Sequence, residues 1–214
     1  MRPGTHWRPA QGEPTVTVLL RHGQTPMSVQ KRYAGRSDVP LTDVGVQQAA
    51  AAATRLASAS LGVIVTSPLL RAVQTAQEVA AVNGAAVVTD DGFRETDFGA
   101  WEGLTFAEVR ERWPAELTAW LADPEVAPPA GESFTDVSTR VTAALHRVLA
   151  DRAGQRVLIV SHVTPIKTLV AAALLAPPAA LFRMHLDVAA LSEIDWYPDG
   201  PAVLRTFNDT GHLS

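Results

Sequence analysis

Short apolar runs alternate with longer amphipathic segments along most of this chain, and this alternation constrains the fold more than any other feature. The predicted strands are 16–20, 63–66, 86–89 and 157–160, and the predicted helices are 42–57, 69–82, 105–113, 115–121, 133–150 and 165–175. Strands that alternate with helices are typical of a parallel sheet covered on both faces. Two further strands, 186–196 and 202–207, flank a proline- and glycine-containing turn and predict antiparallel pairing at or near one edge. The sequence therefore predicts an α/β fold, a three-layer α/β/α sandwich with a mostly parallel central sheet.

The 214 residues are enough for one domain with a substantial core. Residues 1–14 are rich in proline and glycine and show no hydrophobic period, so we predict a flexible tail or interdomain linker there. One domain is predicted over residues 15–214. A partner domain fused on the N-terminal side of residue 1 is a further expectation.

Composition excludes several classes of partner and chemistry. The net charge of −4 gives no overall positive field, so we expect no direct binding of nucleic acid and no membrane association. Cysteine is absent, which excludes disulfides, a cysteine nucleophile and thiolate-bound zinc. Neither a signal peptide nor an apolar run of roughly 18 residues is present. We expect a cytoplasmic protein, and the sequence does not determine its oligomeric state.

Two of the predicted strands end in a histidine. Arg21 and His22 follow strand 16–20, and His162 comes shortly after strand 157–160. Because the carboxyl ends of parallel strands face one crevice, we expect both imidazoles there. A neutral imidazole is a nucleophile near pH 7, and an arginine fork matches a phosphate group. Either histidine alone is more often a loop or structural residue, but together they predict an anion site that contains a nucleophile.

Two other segments that follow predicted strands supply a cation and several acids. Arg71 stands near the start of a predicted helix, whose N-terminus also favours a phosphate. Glu95, Asp97 and Glu102 follow the third predicted strand. A carboxylic acid beside a phosphate can protonate a leaving alkoxide and later deprotonate a water molecule. Position alone does not choose among these three acids.

Five ordered blocks of sequence resemble those of one known family. They are residues 21–25 (RHGQT), 35–42 (GRSDVPLT), 67–76 (SPLLRAVQTA), 95–103 (ETDFGAWEG) and 161–162 (SH), and residues 208–213 (NDTGHL) resemble a common family ending. In this order they resemble the histidine phosphatase superfamily, also called phosphoglycerate-mutase-like. The resemblance extends from about residue 16 to residue 210 and implies that family's fold.

The resemblance also implies roles for individual residues. His22 would become a phosphohistidine, Arg21, Arg71 and His162 would hold the phosphate, and Glu95 would be the acid that protonates the leaving group. The implied substrate-binding positions are Arg21, Gln24, Ser28, Gly35, Arg71, His162 and Val163. No metal and no other cofactor is implied. Positioning and electrostatic stabilisation of the transferring group would supply most of the rate.

The chain departs from the family pattern at two places. Ser28 stands where the family often has asparagine, and Val163 and Thr164 stand where it often has two glycines. Both positions line the ligand site in relatives. We therefore expect these departures to bear on the choice of substrate and not on the chemistry.

The implied activity is metal-independent hydrolysis of small phosphate monoesters, of the acid phosphatase type. Residues 35–42 resemble α-ribazole phosphatases of cobalamin synthesis and broad acid phosphatases, so α-ribazole 5′-phosphate is one candidate substrate. Two alternatives stay open: a phosphoglycerate-type phosphomutase, and a non-catalytic phosphoryl-binding module. Family members also occur fused to ribonuclease H domains, and such a larger protein is a further expectation.

Overall fold

The computed structural model describes residues 10–214, and its centre is one six-stranded sheet. The strands are β1 Thr15–Arg21, β2 Leu61–Thr66, β3 Val87–Thr89, β4 Arg156–Ser161, β5 Leu191–Trp196 and β6 Ala202–Asp209, in the spatial order β3-β2-β4-β1-β5-β6. The first four pair in parallel, whereas β5 runs antiparallel to β1 and β6 antiparallel to β5. The predicted mostly parallel sheet with antiparallel strands at one edge is confirmed.

Helices cover both faces of this sheet. In the part of the chain that the structure describes they are α1 Pro26–Val29, α2 Asp43–Leu56, α3 Leu70–Asn83, α4 Phe106–Arg112, α5 Pro114–Ala122, α6 Phe134–Asp151 and α7 Val163–Ala173. Helices α2 and α3 pack on one face, and α6 and α7 pack on the other. The predicted three-layer sandwich is therefore confirmed. No helix within residues 10–214 has the length and apolarity that crossing a membrane requires.

The two central strands bring the predicted site together. Strands β1 and β4 pair in register, with Arg21 opposite Ser161. Both strands are almost continuously apolar because helices cover them on both sides. The N–H of His22 donates to the carbonyl of Ser161 at 3.1 Å. His22 and His162 consequently leave adjacent strands at the same edge of the sheet.

A separate apolar cluster lies outside the two helical layers. We call it the aromatic cap, and its buried members are Phe98, Trp101, Val109, Leu117, Trp120, Phe134 and Leu181. It is built from α4, α5, the start of α6 and two short 3-10 helices, Gly99–Trp101 and Pro178–Arg183. The remaining 3-10 helices are Asp91–Phe93 and Gly211–Leu213.

Three details differ from the sequence prediction. The strand predicted from residue 186 begins only at Leu191, because residues 186–190 cross the end of β1, where the N–H of Arg21 donates to the carbonyl of Ala190. Helix α7 begins at Val163 and not at Pro165, since a proline in the first turn needs no N–H donor. The short helix α1 was not predicted. Of the predicted tail, residues 1–9 lie outside the described part of the chain.

Candidate active site

The ring of His22 is held by the backbone of its own turn. Its Nδ1 lies 2.7 Å from the carbonyl oxygen of Gly23, so we assign the ring hydrogen to Nδ1 and leave Nε2 with a free lone pair. The turn is tight, because a Cβ at Gly23 would collide with the carbonyl oxygen of Gly45 at the start of α2. The close approach of α2 therefore requires glycine and fixes the direction of the imidazole.

His162 lies beside His22, with 5.1 Å between the ring centroids. Its Nε2 is 2.7 Å from Oγ of Ser67, the residue that follows β2. The N–H of Leu69 also donates to this Oγ, and we assign the hydroxyl hydrogen of Ser67 to Nε2 and the ring hydrogen of His162 to Nδ1. His162 is fully buried, and its Nδ1 has no hydrogen-bond partner among the described residues.

Both imidazoles are neutral at physiological pH. Burial holds the pKa of His22 well below its ordinary value, and the nearby cations Arg71 and Arg21 lower it further. Burial, Arg71 and the neighbouring ring of His22 act in the same direction on the pKa of His162. A histidine that stays unprotonated keeps the lone pair that a nucleophile needs.

Two buried arginines surround the pair of imidazoles. Arg21 donates to the carbonyl of Leu186 at 2.6 Å, and burial lowers its pKa to about 10, which still leaves it cationic at neutral pH. Arg71 is only 1% exposed and donates to the carbonyls of Ala34, Gly35 and Ser37. The Nε atom of each arginine is buried without a partner among residues 10–214. Oxygen atoms of a bound anion are the acceptors that such donors require.

Glu95 is held by the first turn of α7. Its carboxylate accepts hydrogen bonds from the N–H groups of Val163 at 3.0 Å, Thr164 at 3.2 Å and Thr96 at 2.9 Å. The first N–H groups of a helix have no partner within the helix, and the helix dipole favours a negative charge there. Val163 and Thr164 thus bind Glu95 through the backbone, and their side chains do not contribute to these hydrogen bonds.

The other two acids of this segment are used elsewhere. Asp97 forms an ion pair with Arg36 at 3.0 Å. Glu102 accepts from the N–H groups of Gly35 and Ser37, and so holds the loop that Arg71 also holds. Neither acid lines the cavity described below, whereas Glu95 does. The structure thus favours Glu95 as the acid of the site.

A cavity of about 290 Å³ joins this group to the aromatic cap. Its polar end contains Arg21, His22 and Glu95. The remaining lining residues are Thr25, Ser28, Arg32, Tyr33, Ala34, Phe98, Trp120, Phe134, Val163, Thr164, Lys167, Leu181 and Phe182. One end of the cavity is thus suited to an anion and the other to an apolar group.

The predicted substrate-binding residues divide into two groups. Arg21, Ser28 and Val163 line the cavity. Ser28 Oγ accepts from the N–H of Thr25, which forms part of the capping box of α1, and it also donates to the carbonyl of Thr25. Gln24 and Gly35 do not line the cavity: the amide oxygen of Gln24 accepts from Thr42 Oγ1, and the backbone of Gly35 contacts Arg71 and Glu102. His162 and Arg71 are almost fully buried and do not line the cavity.

Sequence reasoning missed Lys167 as a member of the site. Its Nζ donates to the carbonyl of Leu181 at 3.2 Å, and burial lowers its pKa while Glu95 opposes that change. Lys167 is one helical turn after Val163, so its spacing on α7 could have indicated that it faces the same cavity. No group of three or more histidine, cysteine, aspartate or glutamate side chains in residues 10–214 is placed to hold a metal ion.

The fold and this site define a class of protein. The chain belongs to the histidine phosphatase superfamily, since the family's branch 1 pattern matches residues 17–210. "Bifunctional protein Rv2228c" of Mycobacterium tuberculosis (strain ATCC 25618 / H37Rv) is 49% identical over 208 residues, which cover 97% of this chain and 57% of that protein. This chain therefore spans little more than half the length of that relative.

Other relatives differ in the activities that their names state. "Probable phosphoglycerate mutase GpmB" of Proteus mirabilis (strain HI4320) is 35% identical over 204 residues, 92% of this chain and 94% of that protein. The mycobacterial glucosyl-3-phosphoglycerate phosphatase Rv2419c with VO3 has a TM-score of 0.84 at 32% identity, over 92% of this chain and all of that chain (100%). A candidate α-ribazole-5′-P phosphatase from Escherichia coli K-12 has a TM-score of 0.84 at 29% identity, over 92% and 97% of the two chains.

Proposed function

We propose that this chain hydrolyses small phosphate monoesters through a phosphohistidine on His22. The observation that carries the proposal is the neutral imidazole itself. Its Nε2 is free because Nδ1 is held by the carbonyl of Gly23. The ring lies beside two buried arginines, at the polar end of a cavity that Glu95 also lines.

The proposed reaction has two in-line steps. In the first, Nε2 of His22 attacks phosphorus, the ester P–O bond breaks, and protonated Glu95 gives its proton to the departing alkoxide. In the second, the Glu95 carboxylate takes a proton from a water molecule as that water attacks phosphorus. The P–N bond then breaks, inorganic phosphate leaves, and both His22 and Glu95 return to their starting states.

Transition-state charge would be stabilised by donors that are already in place. The partnerless Nε atoms of Arg21 and Arg71 and Nδ1 of His162 offer hydrogen bonds to the equatorial oxygens of the transferring group. Fixed donors in a buried site need no rearrangement during the reaction. Their contribution is therefore larger than that of the same groups in water.

The lowered pKa of His22 supports activity at acidic pH. A histidine with an ordinary pKa would be mostly protonated at pH 5 and unable to attack. Burial and the neighbouring arginines lower the pKa of His22 well below that of an ordinary histidine, which favours its neutral form in acidic solution. We therefore propose an acid phosphatase that works without a metal.

Hydrolysis of p-nitrophenyl phosphate tests this function. We expect release of p-nitrophenol at acidic pH, unchanged by EDTA, and loss of activity in His22→Ala. His146→Ala is the matched control, because His146 is an exposed histidine on α6 and outside this site. Full activity in His22→Ala would contradict the proposal.

The main competing function is a phosphoglycerate-type phosphomutase, which the GpmB relative supports. A mutase returns the phosphoryl group to a bound sugar acid and shields the phosphohistidine from water. Incubation with 3-phosphoglycerate and its bisphosphate primer separates the two activities. Release of inorganic phosphate supports the hydrolase, and net formation of 2-phosphoglycerate supports the mutase. A non-catalytic phosphoryl-binding module would give neither product.

The physiological substrate is proposed only as a class. The two solved phosphatases act, by their names, on glucosyl-3-phosphoglycerate and on α-ribazole 5′-phosphate, and both share the fold of this chain. α-Ribazole 5′-phosphate is therefore one candidate. A phosphate-release screen over sugar, nucleotide and α-ribazole phosphates would rank the candidates.

We further propose that this phosphatase domain works as one part of a larger protein. The relative named bifunctional has additional length that this chain does not match, which supports a second activity beside this one. A ribonuclease H partner, a cytoplasmic location and the absence of nucleic-acid binding by this domain are proposals of the same kind. Nuclease assays on the complete natural protein would test the first of these, cell fractionation the second, and nucleic-acid binding measurements on residues 10–214 the third.

A further inference from the structure

We propose that the apolar end of the cavity is a subsite for a flat aromatic ring in the leaving group. The proposal rests on the proposed phosphatase function and narrows its substrate class to phosphate esters of arylalkyl alcohols or of compounds that carry one aromatic ring system. What carries it is the composition of the cavity wall beyond the polar end.

The wall opposite the polar end consists largely of aromatic rings. Tyr33, Phe98, Trp120, Phe134 and Phe182 line it together with Leu181. They come from separate parts of the chain: the segment after α1, the loop before the first cap 3-10 helix, α5, the start of α6 and the 3-10 helix Pro178–Arg183. An apolar cavity that continues directly from an anion site is suited to a phosphate ester with an apolar body.

The rings also have the relative orientations that aromatic groups favour. Phe182 meets Trp120 edge-on at 84° with 5.9 Å between centroids, and meets Phe134 at 79° with 5.5 Å. Tyr33 meets Trp120 at 89° with 6.4 Å. Ring pairs of this kind are stabilising beyond the area they bury. An aromatic ring of a ligand can form further edge-to-face or stacked contacts with these side chains, whereas a saturated ring of similar size has no π system and cannot.

Phe182 is the member of this wall that is most open. It is 46% exposed although it contacts two buried rings. Phe106 of α4 is 45% exposed as well, but it does not line the cavity. The two phenylalanines are therefore equally exposed, but only Phe182 contacts the proposed subsite, so Phe106 serves as its control.

Charge and size restrict the ligand further. Arg32, which lines the cavity, already forms an ion pair with Glu108 at 2.9 Å, so its charge is balanced without an anionic group on the ligand. The volume of about 290 Å³ lies at the lower end of the roughly 300–1,000 Å³ common for small-molecule sites. One ring system together with a phosphoryl group suits this space better than an extended ester.

Two esters with equally reactive leaving groups test the subsite. In 2-phenylethyl phosphate and 2-cyclohexylethyl phosphate the leaving alcohols differ in the ring and not in the carbon that bears oxygen. We expect kcat/KM to favour the phenyl ester by about 3- to 10-fold, from the magnitude of aromatic pair interactions. Phe182→Ala should reduce this preference to less than about 2-fold, and Phe106→Ala should leave it unchanged.

Binding separates failure of the subsite from failure of the proposed function. The corresponding phosphonates cannot be hydrolysed at the P–C bond, and calorimetry measures their affinity even if the protein has no phosphatase activity. Tighter binding of the phenylethyl phosphonate that depends on Phe182 would support the subsite in either case. Equal affinity for the two phosphonates, or an equal loss of affinity for both in Phe182→Ala, would overturn the proposed subsite.

Discussion

The chemical behaviour of His22 follows from two local features. The hydrogen bond from Nδ1 to the Gly23 carbonyl decides which ring nitrogen is free, and burial beside Arg21 and Arg71 decides that the ring stays neutral. Neither feature depends on a ligand. In our proposal the nucleophile is therefore already in its reactive form before a phosphate ester binds.

The proposed role of Glu95 predicts an effect that depends on the leaving group. Glu95→Gln keeps an oxygen that can accept from the α7 N–H groups but has no proton to give. We expect kcat/KM for an alkyl phosphate to fall by about 10²- to 10⁴-fold, with a much smaller loss for p-nitrophenyl phosphate, whose leaving group needs no proton. Steady-state kinetics on both esters measures this difference.

Asp97→Asn is the control for that substitution, because Asp97 belongs to the same segment but pairs with Arg36 outside the cavity. We expect Asp97→Asn to change kcat/KM for the two substrates by the same, small factor. If Glu95→Gln lowered kcat/KM for both substrates by the same factor, Glu95 would act by positioning or charge and not as a proton donor.

Sequence reasoning reached the charged centre of this site but not its surroundings. Arg21, His22 and His162 could be predicted to lie together because they follow strands that end at one sheet edge. Phe182 could not, since it reaches the cavity from a 3-10 helix whose position is set by tertiary packing, whereas the spacing of Lys167 from Val163 on α7 was an available signal that was not used. Gln24 has a polar side chain beside the nucleophile, yet it turns to Thr42 and α2.

At the scale of elements, the contact between Glu95 and α7 is made through backbone N–H groups. This suggests a substitution that removes one donor and preserves the helix. Val163→Pro eliminates the N–H that binds Glu95, while proline is well tolerated in the first turn of a helix and His162 already has the extended backbone that precedes proline. We expect kcat for an alkyl phosphate to fall by about 10- to 100-fold, because a hydrogen bond to a charged group contributes about 1.5–3 kcal/mol.

Val163→Ala is the matched variant for this experiment. It removes the two γ-methyl groups of Val163 but retains the N–H, so we expect kcat to stay within about 2-fold of the unsubstituted protein, a change of less than roughly 0.5 kcal/mol. Equal losses of kcat in the alanine and proline variants would show that activity depends on the Val163 side chain and not on its backbone N–H.

The predicted elements agree with the structure where the periodic pattern is strong. The long helix α6 and the central strands were found because their apolar residues repeat at helical spacing or form a continuous run. The start of β5 was predicted wrongly because residues 186–190 are as apolar as a strand. Their backbone instead meets the end of β1, where the N–H of Ala189 donates to the His22 carbonyl, and Ala189 has a φ of 54° that no strand has.

At the scale of the whole molecule, the two buried histidines make stability depend on pH. Their pKa values are lowered in the folded state, so below about pH 6.5 the unfolded chain binds protons that the folded chain does not. The free energy of unfolding should therefore fall as the pH falls from about 6.5 towards the lowered native values, by up to about 1.4 kcal/mol per pH unit for each histidine. Urea unfolding between pH 8 and pH 5 measures this dependence.

His162→Asn should reduce that slope, since one of the two buried imidazoles is gone, whatever its effect on overall stability. His146→Ala should leave the slope unchanged because His146 is exposed. A free energy of unfolding with the same pH dependence in all three proteins would contradict the assignment of neutral, buried imidazoles.

The parallel sheet explains why distant segments form one site. Arg21 with His22, Arg71, Glu95 and His162 follow β1, β2, β3 and β4 respectively, and these strands are neighbours in the order β3-β2-β4-β1. Four separate blocks of sequence thus meet at the carboxyl edge of one sheet. This arrangement could be anticipated from the alternation of strands and helices, whereas the aromatic cap has no such repeating pattern.

In the proposed mechanism His22 carries the phosphoryl group on Nε2, and trapping the phosphoenzyme identifies the atom that is phosphorylated. The enzyme is mixed with ³²P-labelled substrate, quenched in alkali, where phosphohistidine survives, and digested, and the labelled peptide is identified by mass spectrometry and NMR. We predict one labelled residue, His22, phosphorylated at Nε2, because Nδ1 is held by the Gly23 carbonyl. Label on any other residue, or phosphorylation of His22 at Nδ1, would contradict the account.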